Sequence, residues 1–193
     1  MKLNPPLRPG AIADAPILAE LVNYAGEGMP LYLWGKMAEP GESAWDIGRR
    51  RAAREEGSFS YRNAVMIDHD GEAVGCLIGY EIPDEPVPIG DMPPMFVPLQ
   101  QLENLAPATW YVNVLAVRPR FRGLGLGTRL LDVADEIGRA RGKRGMSIIV
   151  ADTNTDARRL YERCGYRLVA TRPMVKEGWQ SEGKNWVLLT KTL

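Results

Sequence analysis

"YVNVLAVRPRFRGLGLGTRLL", residues 111–131, decides the fold. An apolar run ends at Val117, glycines alternate at 123, 125 and 127, and a helical pattern follows. The order is strand, glycine turn, helix. Glycine loses more backbone freedom on ordering than any other residue, so three of them here imply backbone that something approaches closely. A strand, such a turn and a helix N-terminus form an anion site, because free N–H groups and the positive end of the helix dipole converge there. Two common anion carriers fail on spacing. A dinucleotide fingerprint begun at Gly123 or Gly125 meets Thr128 or Leu130 where its last glycine belongs. A triphosphate loop needs lysine before Thr128, where Gly127 stands. Glycines that serve packing alone are the plain alternative at this point.

Outward from this stretch, helices and strands alternate. "GTRLLDVADEIGRARG" carries Leu130, Val133, Ala134 and Ile137 at the spacing of one helix face. "MSIIVAD" reads as a strand. "NTDARRLYERCG" is a helix capped at Thr153 or Asn154 and ended by Gly165. "YRLVATRPMV" and "NWVLLTKTL" form an antiparallel pair. "VLAV" and "SIIVA" are apolar enough for central strands covered on both faces. Towards the N-terminus, "AIADAPILAELVNYAGEG" is a helix with Asp14 as its cap and Pro16 in its first turn. "ESAWDIGRRRAAREEG" is a second helix running to about Gly57, its "RRRAAR" run a solvated face. "NAVMIDHDGEAVGCLIGYEI" is a hairpin turning at Asp70-Gly71, with His69 a turn residue.

Residues 83–107 break the pattern with seven of the chain's fifteen prolines, which rules out a long helix or a central strand. Met92, Met95, Phe96 and Val97 make this insertion too apolar for a disordered spacer. A lid or substrate-facing loop is expected. The fold class is α/β, a central mixed (α+β) sheet flanked by helices, in one domain over residues 1–193.

Lys plus Arg and Asp plus Glu balance at 24 each, so no global field draws the chain to nucleic acid or anionic lipid. Cys76 and Cys164 have no metal-ligand spacing, and a single histidine leaves little for a metal site. The N-terminus lacks a signal-peptide core and no run approaches a membrane span, so the expectation is a reduced, cytoplasmic protein. The charge is nonetheless uneven. Residues 63–117 hold eight acids and no Lys or Arg, whereas residues 118–144 hold eight basic residues against Asp132, Asp135 and Glu136. One part of the protein is suited to a cation and another to an anion.

What does fit the glycines is R-x-x-G-x-G, as Arg122, Gly125 and Gly127, with Gly123 an extra match. A second motif, N-x-x-A-x-x-L-Y-x-x-x-G-F/Y, appears as Asn154, Ala157, Leu160, Tyr161, Gly165 and Tyr166. Together they resemble the GNAT superfamily of N-acetyltransferases, over roughly residues 62–193. The resemblance implies a GNAT-like acyl-CoA N-acyltransferase fold with acetyl-CoA as cofactor. Its pyrophosphate would lie on the loop of Arg122, Gly123, Leu124, Gly125, Leu126, Gly127 and Thr128. Its pantetheine arm would pair with backbone of Leu115, Ala116 and Val117, one N–H aimed at the thioester oxygen. Asn154 and Tyr161 would complete the cofactor contacts, with Tyr161 also giving a proton to sulfur.

Acetyl transfer to an amine needs a neutral nucleophile, a stabilised oxyanion and a proton for the thiolate. The position that often carries a glutamate base in the family is Asn113, which cannot take a proton. Glu81, Asp84, Glu85 or Glu103 acting through water are the alternatives, or no protein base at all for an amine of low pKa. Tyr111, on the strand face of Asn113, either shapes the acceptor pocket or takes part in the chemistry. Asp84 and Glu85, with Glu81, would flank a cationic acceptor: a small-molecule amine, a lysine side chain or a peptide N-terminus. No metal, nucleic-acid or membrane partner is expected, and the family's habit of pairing through sheet edges allows a homodimer. A GNAT-like domain that senses acyl-CoA without turnover is the rival, favoured by Asn113 and opposed by Tyr161.

Overall fold

The computed structural model describes residues 3–193. Seven strands form one mixed sheet: β1 Leu7–Pro9, β2 Ala64–His69, β3 Glu72–Glu81, β4 Thr109–Val117, β5 Gly145–Ala151, β6 Arg167–Pro173 and β7 Asn185–Thr192. Their order across it is β1-β2-β3-β4-β5-β7-β6. Six α-helices accompany them: α1 Ala15–Ala25, α2 Met29–Met37, α3 Ala44–Ala52, α4 Val97–Glu103, α5 Leu126–Ala140 and α6 Thr155–Arg163. The chain forms two compact units. One holds residues up to Gly79 with Val114–Leu130, the other Tyr80–Asn113 with Leu131–Leu193. Among the described residues no helix is long and apolar enough to cross a membrane.

In the first unit β1, β2 and β3 pair antiparallel, and the β2–β3 hairpin turns on Asp70 and Gly71, both at positive φ as a two-residue primed turn requires. Leu18 and Leu21 of α1, Trp34 of α2, Ile47 of α3 and Met66 and Ile78 of the strands share one buried core. Asp14 precedes α1 as expected but does not cap it. Its carboxylate turns back to the Ala11 N–H at 2.8 Å and to both terminal nitrogens of Arg8 at 2.7 and 2.9 Å. Charge-assisted bonds to a guanidinium fork outcompete a neutral helix donor. Ser43 does cap α3, accepting the Asp46 N–H while Asp46 returns to the Ser43 N–H. That helix ends at Ala52, short of Gly57, because the following segment closes on itself: Arg54 donates to the Phe59 carbonyl and Ser60 to the Arg54 carbonyl.

In the second unit β4 runs parallel to β5, and β7 lies between β5 and β6, antiparallel to both. The proline-rich insertion is more ordered than a loop. It contains α4, it buries Met95, and Asn104 holds it closed, accepting the Val87 N–H and donating to the Val87 carbonyl, both at 2.9 Å. Asp135 of α5 and Lys191 of β7 form a buried ion pair. Lys191 also donates to the Cys164 carbonyl at 3.1 Å, just past the end of α6.

Candidate active site

The glycine turn lies in the first unit, where β4 ends and α5 begins. Gly123 and Gly125 have φ of +80° and +76°, and a Cβ on either would meet nothing within 4 Å. Packing therefore does not explain these glycines; their left-handed backbone does. Arg122 braces the turn by donating from Nε to the Val117 carbonyl at 3.3 Å. Leu126 is buried and anchors the first turn of the helix, whereas Leu124 is 54% exposed. Arg129 N–H bonds the Gly125 carbonyl at 3.1 Å, so Leu126, Gly127 and Thr128 contribute the N–H groups that an α-helix leaves without internal partners at its start. The result is a cradle of backbone donors flanked by the exposed Arg122 and Arg129.

The strand leading into the turn has one buried face, Val114 and Ala116, and one partly open face, Leu115 and Val117. That corrects the expectation that "VLAV" is covered on both faces. Gly75 of β3 allows the closest approach to it, since a Cβ there would stand 2.7 Å from the Ala116 carbonyl oxygen. The basic stretch is also less free than its composition implies. Arg118 pairs with Glu72 and, at 2.9 Å, with Glu20, and Arg120 pairs with Glu72 at 2.6 Å.

The second unit holds α6. Asn154 caps it, its Oδ1 accepting the Ala157 N–H at 3.3 Å, and the helix stops where the Tyr166 N–H bonds the Tyr161 carbonyl at 3.0 Å. Tyr161 is 5% exposed, its ring 6.0 Å from that of Tyr166. Asn113 is exposed on β4, but Tyr111, two residues before it, is as buried as Tyr161.

Tyr111 is covered by a residue the sequence reading left unremarked. Tyr80 of β3 packs on it with ring centroids 5.1 Å apart and donates from its hydroxyl to Glu103 Oε1 at 2.9 Å. Burial pushes the Glu103 carboxyl above the usual carboxylate range, and the Tyr80 hydrogen bond only partly offsets that. The Tyr111 phenol is also pushed well up, first by burial and then by Tyr80, Glu103 and Tyr161. Glu81 has the opposite environment. It is held below its ordinary value by Lys143 at 2.9 Å and by Arg141 at 3.2 Å. Asp84, Glu85 and Asp91 are exposed. Among the described residues no group of three or more His, Cys, Asp or Glu could hold a metal ion.

A family model described as Acetyltransferase (GNAT) family matches residues 31–166. Mycothiol acetyltransferase of Beutenbergia cavernae is 43% identical over 63 residues, 33% of this chain and 21% of that protein. L-2,4-diaminobutyric acid acetyltransferase of Streptomyces coelicolor is 31% identical over 115 residues, 57% of this chain and 55% of that protein. The chain thus spans about a fifth and just over half of the lengths of these two curated relatives. A crystal structure of an acetyltransferase superposes with a TM-score of 0.66 at 24% identity, covering 96% of this chain and 98% of the other, a likeness of fold.

Proposed function

Since the chain belongs to the acetyltransferase (GNAT) family, we propose that it moves an acetyl group from acetyl-CoA to a primary amine by direct attack in a ternary complex. The open, left-handed glycine turn at the start of α5 carries this reading, because it leaves uncrowded backbone N–H groups at a helix start where a polyanion can approach. Acetyl-CoA, when bound, supplies the activated thioester. The N–H groups of residues 123–128 bind its pyrophosphate with Arg122 beside them. The β4–β5 register runs from Thr109 to Val112, so the backbone of Leu115, Ala116 and Val117 on that edge is left for the pantetheine arm, and Asn154 sets the start of the helix that carries Tyr161, the proton donor to sulfur. The test is to titrate acetyl-CoA by calorimetry and, in the same preparation, to follow thiol release against polyamines, amino acids, aminoglycosides and peptides. Binding with release for one class of amine supports the reading, and no binding rejects it.

Gly125→Ala tests the cradle. The added methyl has room, so its cost is the left-handed backbone, about 1–2 kcal/mol for a residue with a side chain. The turn relaxes until ligand restores it, and acetyl-CoA should bind about tenfold more weakly with little change in thermal stability. Equal affinity in the variant would mean that ligand does not use this turn.

The proposed acceptor is a cationic small molecule or peptide amine. Glu81 is occupied by Lys143 and Arg141, so the exposed Asp84, Glu85 and Asp91 carry this reading. One relative is named for a diamino acid, an amine of that class. Reversing all three charges should raise KM for a cationic acceptor about five- to tenfold at low salt and leave acetyl-CoA affinity alone. A preference for anionic acceptors would sink the idea. The second reading, a sensor that binds acyl-CoA without turnover, is favoured by Asn113 in place of a glutamate; it expects binding without thiol release.

A further inference from the structure

Glu103 is one of the four acids the sequence offers as a base, and its surroundings are unusual for one placed only to be solvated. It ends α4, inside the proline-rich insertion, and is half-buried. Its Oε1 takes the Tyr80 hydroxyl, and Tyr80 lies on Tyr111, two residues before Asn113 on β4. One carboxylate thus stands against two tyrosines, drawn from β3 and β4. Asn113 cannot accept a proton, Glu81 is spent on two cations, and Asp84 and Glu85 are exposed on the chain just beyond β3.

Resting on the acetyl-transfer reading above, we propose that Glu103 is the proton acceptor for the incoming amine, so that the insertion supplies the base missing at Asn113. An N–H bond of the acceptor ammonium breaks and an O–H bond forms on Glu103, while the electron pair stays on nitrogen. That pair then forms the N–C bond as the C–S bond of the thioester breaks. Tyr161 protonates the departing sulfur and is reprotonated by the second N–H proton, which the newly bonded nitrogen gives up, and Glu103 returns its own proton to solvent. Tyr80 is a positioning residue, fixing which carboxylate oxygen is occupied and leaving Oε2 for the amine. A carboxyl whose affinity for protons is raised by burial is better matched to an ammonium than an ordinary surface glutamate. Titratable groups bearing on it from neighbouring elements are Tyr80 of β3 and Tyr111 of β4. On the strands packed against α4, Lys191 of β7 is held by Asp135, and Arg172 of β6 lines a groove with Val97 and Gln101.

The test compares Glu103→Gln with the unsubstituted chain, using an alkyl amine accepted by the latter and an amine that is already neutral at the assay pH, such as methoxyamine. With the alkyl amine, kcat should fall about a hundred- to ten-thousandfold and then climb roughly tenfold per pH unit as the amine deprotonates unaided. With methoxyamine the variant should stay within a fewfold of the unsubstituted chain, and acetyl-CoA affinity should be unchanged. Glu103→Asp, which keeps a base at shorter reach, should fall between the two. It carries the same comparison if the glutamine variant does not fold. Turnover of the alkyl amine within threefold of normal, or an equal loss with both amines, overturns the assignment alone. An unsubstituted chain that binds acetyl-CoA and releases no thiol with any amine overturns the transfer reading, and this assignment with it.

Discussion

Replacing Tyr161 with phenylalanine is expected to lower kcat by about ten- to a thousandfold while acetyl-CoA affinity stays within a fewfold. The substitution removes one oxygen and keeps the ring. Tyr161 is buried against Tyr166, and its backbone carbonyl, which takes the Tyr166 N–H, is untouched. Loss of fold is therefore a weak explanation for a slow variant, and a melting curve shifted by only a few degrees would exclude it. The proton matters because a thiolate that departs unprotonated returns readily to the carbonyl. A variant of unchanged kcat would mean that sulfur takes its proton from solvent and that Tyr161 is a core aromatic.

Lys191→Met should cost about 3–5 kcal/mol, the largest stability loss expected of any single substitution considered. The side chains of Lys191 and Asp135 are only 13% and 12% exposed. Lys191 also bonds the Cys164 carbonyl and lies 5.2 Å over the Tyr166 ring. Methionine preserves most of the volume but strands a buried carboxylate, one of whose oxygens, Oδ1, already lacks a partner. The double variant Lys191→Met with Asp135→Leu removes the charge together with its partner and should recover most of the loss. Denaturant unfolding of the four proteins in this cycle measures the coupling. A single-variant loss below about 1 kcal/mol would show the pair to be solvated, as surface ion pairs are.

Local chemistry determines which features were legible in the sequence. The Asp70-Gly71 hairpin, the α5 and α6 helices and the glycine turn are each set by residues within a few positions of one another, and each was readable. β1 has three residues and α2 nine, with Pro30 and Gly35 among them, too little for a period to emerge. Asp14 was placed correctly but given the wrong partner, because Arg8 reaches it only in three dimensions. The candidate site divides the same way. Arg122 to Thr128 and Asn154 to Tyr166 are contiguous motifs, while Tyr80 and Glu103 are 23 residues apart and meet only when the insertion folds back. In the sequence Tyr80 looks like one more apolar strand residue, and Glu103 is one of four candidate bases with nothing local to single it out. Charge segregation is narrowed for a related reason: Glu72 and Glu81 find their arginines and lysine by folding, and exposed acid collects at Asp84, Glu85 and Asp91.

The place of β7 between β5 and β6 bears on how the chain is made. Residues 145–151 and 167–173 are synthesised before residues 185–192, and their only sheet partner on that side is the strand still to come. Until it arrives β5, apolar along most of its length, has one bare edge of the kind that invites pairing with another chain. Chains truncated before residue 185 should therefore bind chaperones and aggregate, and chains that extend through residue 192 should not.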